Sequence, residues 1–451
     1  MNYSEAEAYL YDLQLLGTKL GLHNITSLLN CLDNPHKQLI FVHVAGTNGK
    51  GSVCALLNSL LTACGLRVGI FTSPHLISLR ERIKINNRTI SASAFASCVA
   101  RVKRAVTLLN AKNIYPTFFE VMTAVGIDYF ARNKVHIVLF ETGMGGTYDS
   151  TNIVDSKLSI ITNVNLDHCR VLGTTVEQIA EDKAGIIKKR SVFITAEDKP
   201  AVISIFRKIC SKRNTKMIVV SPHSINIKRL DKDAMVFDYS ENCIRWKDIK
   251  TNLTAHYQSK NIILAINAFL EIINHFTTPP LSEPDSEKAI RAGLKKVYIP
   301  GRFQFVNKIP PVLLDVAHNP AGIDKLIRSL MKLFSGQRIG FVIGMLAEKD
   351  YEQVCRLIVP IANEIFCVTP PSERSLPAYE LEQCCKRYAP PGLSIRTDLS
   401  ALSAIETFKQ KYYTGTNDVL VVCGSFYLAG HVLKHLGKTR LRIMDKGSDY
   451  R

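Results

Sequence analysis

Between an apolar run and a helix-like stretch the chain reads AGTNGKGS at 45–52. Gly46, Gly49 and Gly51 let the backbone turn tightly and aim N–H groups at a phosphate, and the following helix adds the positive end of its dipole. Lys50 supplies a point charge for terminal phosphates, and Ser52 a hydroxyl near a metal. A glycine-rich turn alone is only a turn. Strand, loop, lysine, hydroxyl and helix in one order predict a phosphate loop whose nucleotide-binding residues are Asn48, Gly49, Lys50, Gly51 and Ser52. The glycine between Lys50 and Ser52 departs from the usual GxxxxGKS spacing. A second signal is Glu141, at the end of HIVLFET (136–142). An open parallel sheet binds ligands at that edge, and a carboxylate there can hold Mg²⁺ beside the phosphates.

The elements that must position these residues are legible as alternation. Strand-like runs at 40–45, 67–73, 136–142, 158–164 and 191–196 are separated by helical periodicity at 53–64, 93–110, 118–132 and 176–188. This pattern predicts a mostly parallel sheet with helices on both faces. Short alternating pieces at 225–253, with the only tryptophan, Trp246, predict a small antiparallel annex. A helix over 259–276, the breaker-rich TTPPLSEPDSE (277–287), a short helix to Lys296 and the turn YIPGRF follow. Proline and glycine there predict a hinge near 299–301. Alternation then restarts at 312–318, 338–346, 364–370 and 418–426 as a second, smaller α/β domain. The predicted domains are 1–298 and 299–451.

The 451 residues argue for two or three domains at roughly 100–200 residues each. With 46% hydrophobic and 8% aromatic residues the composition is that of an ordinary globular protein. No run approaches the roughly 20 apolar residues of a membrane span, and the acidic start lacks the basic and apolar regions of a secretory signal. A soluble, cytoplasmic protein is expected. Twelve cysteines, with no CxxC pair, suggest neither a zinc site nor a disulfide framework. The net charge of +18 could serve nucleic acid, a membrane surface or small polyanions. Its Lys and Arg are spread out, without the basic tail and interleaved aromatics of a single-strand binder.

GTNGKGS in this setting resembles the Mur ligase superfamily of ATP-dependent amide-bond synthetases, and the surrounding segments resemble its folylpolyglutamate synthase and dihydrofolate synthase branch. LGLHNITSLLNCLDNP (20–35) resembles the lead-in of that branch, and TSPHL (72–76) with RERIKIN (80–86) its mobile loop. ETGMGGTYDSTN, LDHCRVLG, EDKAGIIK, QSKN, PGRF, DVAHNP and CGSF follow in family order. The resemblance implies an N-terminal P-loop ATPase domain with a folate site and a smaller Rossmann-like C-terminal domain that binds glutamate. It also implies ATP as co-substrate and two Mg²⁺ sites: Ser73 and Glu141 at one, His168 with Glu141 at the other. Lys183 matches a carbamylated lysine, and Asn261, Arg302 and Asp315 match ATP-contacting positions. His318 resembles a residue near the transferred phosphoryl group or the incoming amino acid. Asp315 and His318 end a strand, a place that predicts a position at the interdomain cleft. The folate pocket is implied near the LGL segment, the TSPHL loop and Phe118, Phe119 and Glu120, although aromatics on an apolar helix are more often core. Asp182 stands where the family usually has Glu. Thr147 stands where it usually has arginine, so anchoring by that arginine is absent.

The implied reaction is transfer of the ATP γ-phosphoryl group to a folate or dihydropteroate carboxylate, followed by attack of the L-glutamate amine. A monomer that uses neither nucleic acid nor membrane is expected. Two other readings compete. A ligase for UDP-linked precursors needs a UDP-binding domain ahead of a phosphate loop that here starts at Gly46. A P-loop NTPase acting on nucleic acid would account for the charge, but it leaves TSPHL, EDKAGI and DVAHNP unexplained.

Overall fold

Phe41–Ala45 forms β1, and all five residues are buried. Such an apolar, β-branched run suits a central parallel strand covered on both faces. In the computed structural model β1 lies within an eight-stranded sheet with β2 (Val68–Phe71), β3 (Ile83–Ile85), β4 (Arg88–Thr89), β5 (Ile137–Glu141), β6 (Leu158–Ile161), β7 (Val192–Thr195) and β8 (Lys216–Val219). The order is β4-β3-β2-β5-β1-β6-β7-β8. All neighbours are parallel except β2-β3 and β3-β4. The register sets Val44 of β1 against Glu141 of β5, and Ala45 against Ile161 of β6. The ends of β5 and β6 therefore flank the chain where it leaves β1. The structure describes residues 1–17, 19, 21–276, 281–308, 310–412 and 418–437. Leu20 of the LGL segment and the TTPP run at 277–280 lie outside them.

The chain divides into two units. One comprises Met1–Arg229, Met235–Asn252 and Gln258–Val297, and the other Leu230–Ala234, Leu253–Tyr257 and Tyr298–Arg451. The first holds the eight-stranded sheet. Helices Tyr3–Asp12, His23–Asn30, Ala92–Asn110 and Phe118–Arg132 share an apolar core with Phe71, Phe130 and Phe140. The annex consists of β9 (Ile225–Leu230), β10 (Met235–Glu241) and β11 (Ile244–Thr251), in the order β11-β10-β9. Trp246 stacks on Tyr239 within it, at 5.4 Å between ring centres.

The second unit carries a six-stranded sheet of β12 (Gln304–Lys308), β13 (Pro311–Leu314), β14 (Ile339–Ile343), β15 (Glu364–Cys367), β16 (Ser394–Thr397) and β17 (Val419–Cys423). Its order is β12-β13-β17-β14-β15-β16, antiparallel only between β12 and β13. The expected class, a mostly parallel sheet followed by a smaller α/β domain, is the one observed. All twelve cysteines are free thiols. Among the described residues no helix is long and apolar enough to cross a membrane.

Two local expectations differ from the structure. The helix read over 176–188 is Val176–Lys183 followed by a 3₁₀ turn, Ala184–Ile186. RERIKIN is not wholly loop, because Leu79–Arg82 forms a 3₁₀ turn and β3 pairs with β2.

Candidate active site

In the first unit the chain leaves β1 through Gly46 and enters helix Lys50–Ala63 at Gly49. Gly46 has φ +144°, and a Cβ there would collide with Thr162 Oγ1. Gly49 has φ +90°, and its Cβ would lie 2.7 Å from Asn261 Oδ1. Both positions therefore need glycine on conformational and steric grounds. Lys50 Nζ donates to Gly46 O at 2.9 Å, lying back across its own loop. Ser52 is buried, and its Oγ has no partner.

The loop is braced by the segment after β6. The Asn163 side chain accepts Asn48 N–H at 3.2 Å and donates to Asn48 O at 2.7 Å, pairing with that residue as a strand would. Thr162 Oγ1 also donates to Asn48 O, at 2.7 Å. Asn165 N–H donates to Thr47 Oγ1 at 3.0 Å. The same segment continues into Asp167 and His168, and His168 has a left-handed φ of 52° and is 44% exposed. Thr162, Asn163 and Asn165 are positioning residues that the sequence reading missed. Their only signal was a run of short polar side chains directly after a strand.

Glu141 is 3% exposed and accepts Ser73 N–H on Oε2 at 3.0 Å. The same oxygen lies 3.5 Å from where a Cβ on Gly51 would sit. The structure therefore gathers the phosphate loop, Glu141 and Ser73. Among the described residues no group of three or more His, Cys, Asp and Glu side chains could hold a metal ion. One carboxylate against Gly51, with the partnerless Ser52 hydroxyl on the next residue, fits a hard cation whose other ligands are phosphate and water, which is how Mg²⁺ is usually held.

Lys183 ends its helix 4% exposed. Burial, with Lys50 nearby, pushes its amine down to about 7. Asp149 is buried and bonds the loop after β5, accepting Met144 N–H at 2.8 Å and Thr151 N–H at 3.0 Å. Thr151 Oγ1 donates to Asp149 and lies 2.8 Å from His43 Nε2. The hydroxyl proton being committed, the imidazole donates through Nε2. His43 Nδ1 is left buried without a partner. Burial pushes His43 down to about 3, so it is neutral.

Glu81 pins the TSPHL segment, accepting the N–H groups of Leu76, Ile77 and Ser78 at 3.0, 2.9 and 2.8 Å. Arg82 Nε donates to His75 Nδ1 at 3.0 Å and stacks over Phe118, 5.3 Å from the ring centre. Phe119 lies against Gly143, where a Cβ would come within 2.6 Å of its ring. Both rings are partly buried at the margin of the core. Glu120 Oε2 accepts Thr117 N–H at 2.7 Å and Thr117 Oγ1–H at 2.9 Å, a capping box at the start of helix Phe118–Arg132. Replacing Glu120 by alanine is expected to cost about 1–2 kcal/mol through loss of this cap, read as a lower midpoint in urea. Asn261 donates to Gln258 Oε1 at 2.8 Å, and the buried Gln258 Nε2 has no partner. Gln258 opens the QSKN motif, of which only Asn261 has an expected role.

In the second unit PGRF, DVAHNP and CGSF converge. Asp315 is 3% exposed and accepts from Tyr257 OH at 2.7 Å, Phe303 N–H at 2.9 Å and Ala317 N–H at 2.8 Å. Burial still pushes its carboxyl up against the opposing pull of Arg302 and these donors. The Arg302 guanidinium lies 5.0 Å from the Phe426 ring centre, and the His318 ring 5.5 Å from it. Phe426 opens a helix capped by Ser425, whose side chain accepts Leu428 N–H. Tyr257 was missed because nothing in the sequence beside it marks a carboxylate partner.

Residues 44–269 match the Mur ligase middle domain and residues 301–426 the Mur ligase glutamate ligase domain. The dihydrofolate synthase/folylpolyglutamate synthase of Bacillus subtilis is 34% identical, over 96% of this chain and 99% of that protein. The folylpolyglutamate synthase of Lacticaseibacillus casei is 33% identical, over 97% and 99%. Among solved structures, the Thermotoga maritima folylpolyglutamate synthase aligns with a TM-score of 0.82 at 33% identity, covering 97% of both chains. The E. coli FolC complex with DHPP and ADP aligns with a TM-score of 0.83 at 28% identity, covering 96% of this chain and 98% of that one. The chain thus belongs to the folylpolyglutamate synthase/dihydrofolate synthase family of Mur ligases.

Proposed function

We propose that the protein is an ATP-dependent ligase that joins L-glutamate to the carboxylate of a folate, and also to that of dihydropteroate. One observation carries the reading: a phosphate loop braced by Asn163, with the buried Glu141 carboxylate against Gly51 and the buried Ser52 hydroxyl left without a partner. The folate and dihydropteroate specificity is carried over from relatives named for those activities and from the complex with DHPP. Those relatives give the nucleic-acid reading no support.

A carboxylate is a poor electrophile and hydroxide a poor leaving group, so direct condensation does not run in water. In the proposed reaction a substrate carboxylate oxygen attacks the γ-phosphorus, the bond to the β-phosphate oxygen breaks, and ADP leaves. The glutamate amine then attacks the acyl carbon, inorganic phosphate departs, and the amine sheds a proton to water. The loop N–H groups of Gly49, Gly51 and Ser52 and the Lys50 ammonium offset charge on the transferred group, a step dominated by positioning and electrostatics. Asn48, whose N–H is held by Asn163, keeps the loop in shape. Glu141 with Ser73 would hold one Mg²⁺ and His168 with Glu141 a second. Bound there, the metal would neutralise phosphate charge. Asn261, Arg302 and Asp315 bind the nucleotide, His318 serves the phosphoryl group or the incoming glutamate, and Phe118 and Phe119 flank the pterin. Oxygen-18 in the acceptor carboxylate tests the route: one labelled oxygen should reach inorganic phosphate, and label that stays wholly in the amide and water would rule out the acyl phosphate.

Lys183 carries the second element of the reading. An amine pushed down to about 7 is substantially uncharged at neutral pH, the form that adds CO₂ to give a carbamate and release a proton. At fixed dissolved CO₂, carbamate on Lys183 should increase as pH rises through about 7, measured by carbon-13 NMR with labelled CO₂. The linkage has the same direction. Between about 7 and 10.5 the unfolded chain binds the proton that the folded one lacks, so the contribution of Lys183 to stability grows with pH in that window.

A further inference from the structure

The loop leaving Glu141 and the last turn of the helix that carries Lys183 touch backbone to backbone. A Cβ on Gly146 would meet the Lys183 and Asp182 carbonyl oxygens at 2.6 and 2.7 Å. One on Gly145 would strike the Asp182 carboxylate, and from the other side one on Gly185 would strike the Thr147 hydroxyl. No side chain separates the two segments. Thr147 bonds them twice: its N–H donates to Asp182 O at 2.9 Å, and its Oγ1–H donates to the same oxygen at 2.8 Å, beside the Gly146 N–H on the Asp182 carboxyl and a longer bond from Asn152 Nδ2 to Gly185 O at 3.4 Å. That carbonyl belongs to the residue before Lys183, in the last turn of the helix, and it also accepts the Ala184 N–H. Asn152 Nδ2 braces the contact at Thr147 O, 3.0 Å, and Lys188 Nζ holds Asn152 at 3.0 and 2.8 Å. The anchoring expected to be lost with an arginine at 147 is thus supplied by a hydroxyl and a backbone N–H.

We propose that Thr147 is a positioning residue for ligation: its paired bonds to the Asp182 carbonyl fix where Lys183 Nζ stands beside Lys50 and the loop that follows Glu141. The inference rests on the reading of Lys183 given above. The valine variant keeps the shape and the backbone N–H but loses the hydroxyl bond, whereas serine keeps the bond and loses only a methyl group.

The experiment compares the full-length protein with Thr147→Val, Thr147→Ser and Lys183→Met, using steady-state rates, thermal midpoints and carbon-13 NMR under labelled CO₂. Thr147→Val should lower kcat about tenfold, the rate equivalent of one hydrogen bond, with KM for ATP unchanged. Its carbamate signal should be weaker than wild type at subsaturating CO₂, with a thermal midpoint within a few degrees of wild type, and Thr147→Ser should restore both rate and signal. Wild-type rate and signal in Thr147→Val would overturn the proposal. So would a serine variant as impaired as the valine one, which would make methyl packing the cause, or a fall in rate that merely follows a fall in thermal midpoint. If Lys183→Met retains activity and wild type shows no carbamate, the reading of Lys183 fails and the inference falls with it. If Lys183→Met is inactive but wild type shows no carbamate, only the modification is refuted, and the split between kcat and KM decides the role of Thr147.

Discussion

Replacing Lys50 by methionine is expected to lower glutamate-dependent ADP formation about a thousandfold, the scale seen when a charge-stabilising donor is removed from a transition state. Lys50 Nζ lies on Gly46 O at 2.9 Å and reaches Thr47 O at 3.5 Å, both within its own loop. Swinging toward a phosphate therefore breaks nothing else. Methionine keeps the unbranched stem, so the variant should fold with an unchanged thermal midpoint. The other lysine that acts on this region, Lys183, is buried and pushed down to about 7, and it does not substitute for a charged ammonium at the γ-phosphate. Single-turnover ADP formation measures the effect. A loss of less than tenfold would remove Lys50 from the chemistry.

The second large effect is expected at Glu141. The glutamine variant retains an amide oxygen to accept Ser73 N–H, now 3.0 Å from the carboxylate, and so preserves the local geometry while removing the charge. Activity should fall at least about a hundredfold and the Mg²⁺ concentration for half-maximal rate should rise about tenfold, because the cation loses the only carboxylate assigned to it in this reading. Mn²⁺ titration followed by electron paramagnetic resonance reads the same loss without turnover. Unchanged Mn²⁺ binding in Glu141→Gln would remove Glu141 from the metal site.

The parts of the fold and site legible in the sequence are those whose physics is local. The phosphate loop packs its chemistry into eight consecutive residues, Ala45–Ser52, and a buried strand such as β5 declares itself as an unbroken apolar run. β3, β4 and β16 are three, two and four residues long, too short to show a period, and β16 reads SIRT with only Ile395 buried. The braces were hidden for a different reason. Asn163 pairs with Asn48 across 115 positions, and Asp315 with Tyr257 across 58, so neither residue has a local signature. The helix at 176 ran past its true end because apolar spacing continues through Ile187. The chain instead tightens into the 3₁₀ turn Ala184–Ile186, where only a glycine at 185 leaves room for the Thr147 side chain.

Sequence motifs also assigned the pterin side more thinly than the nucleotide side. Phe118 lies under Arg82 and Phe119 against Gly143, contacts that hold the rings in place whatever they stack on. Glu120 spends one oxygen on the helix cap, so a loss of folate affinity in Glu120→Ala must exceed its loss of stability before the residue counts as a substrate ligand.

The most direct measurement incubates the purified protein with Mg-ATP, L-glutamate and either dihydropteroate, tetrahydrofolate or no acceptor, with products identified by mass. The account predicts that each pterin gains one or more glutamyl residues, with one ADP formed per amide bond and little ADP without an acceptor. Undiminished ATP hydrolysis with no mass gained by either pterin would contradict it.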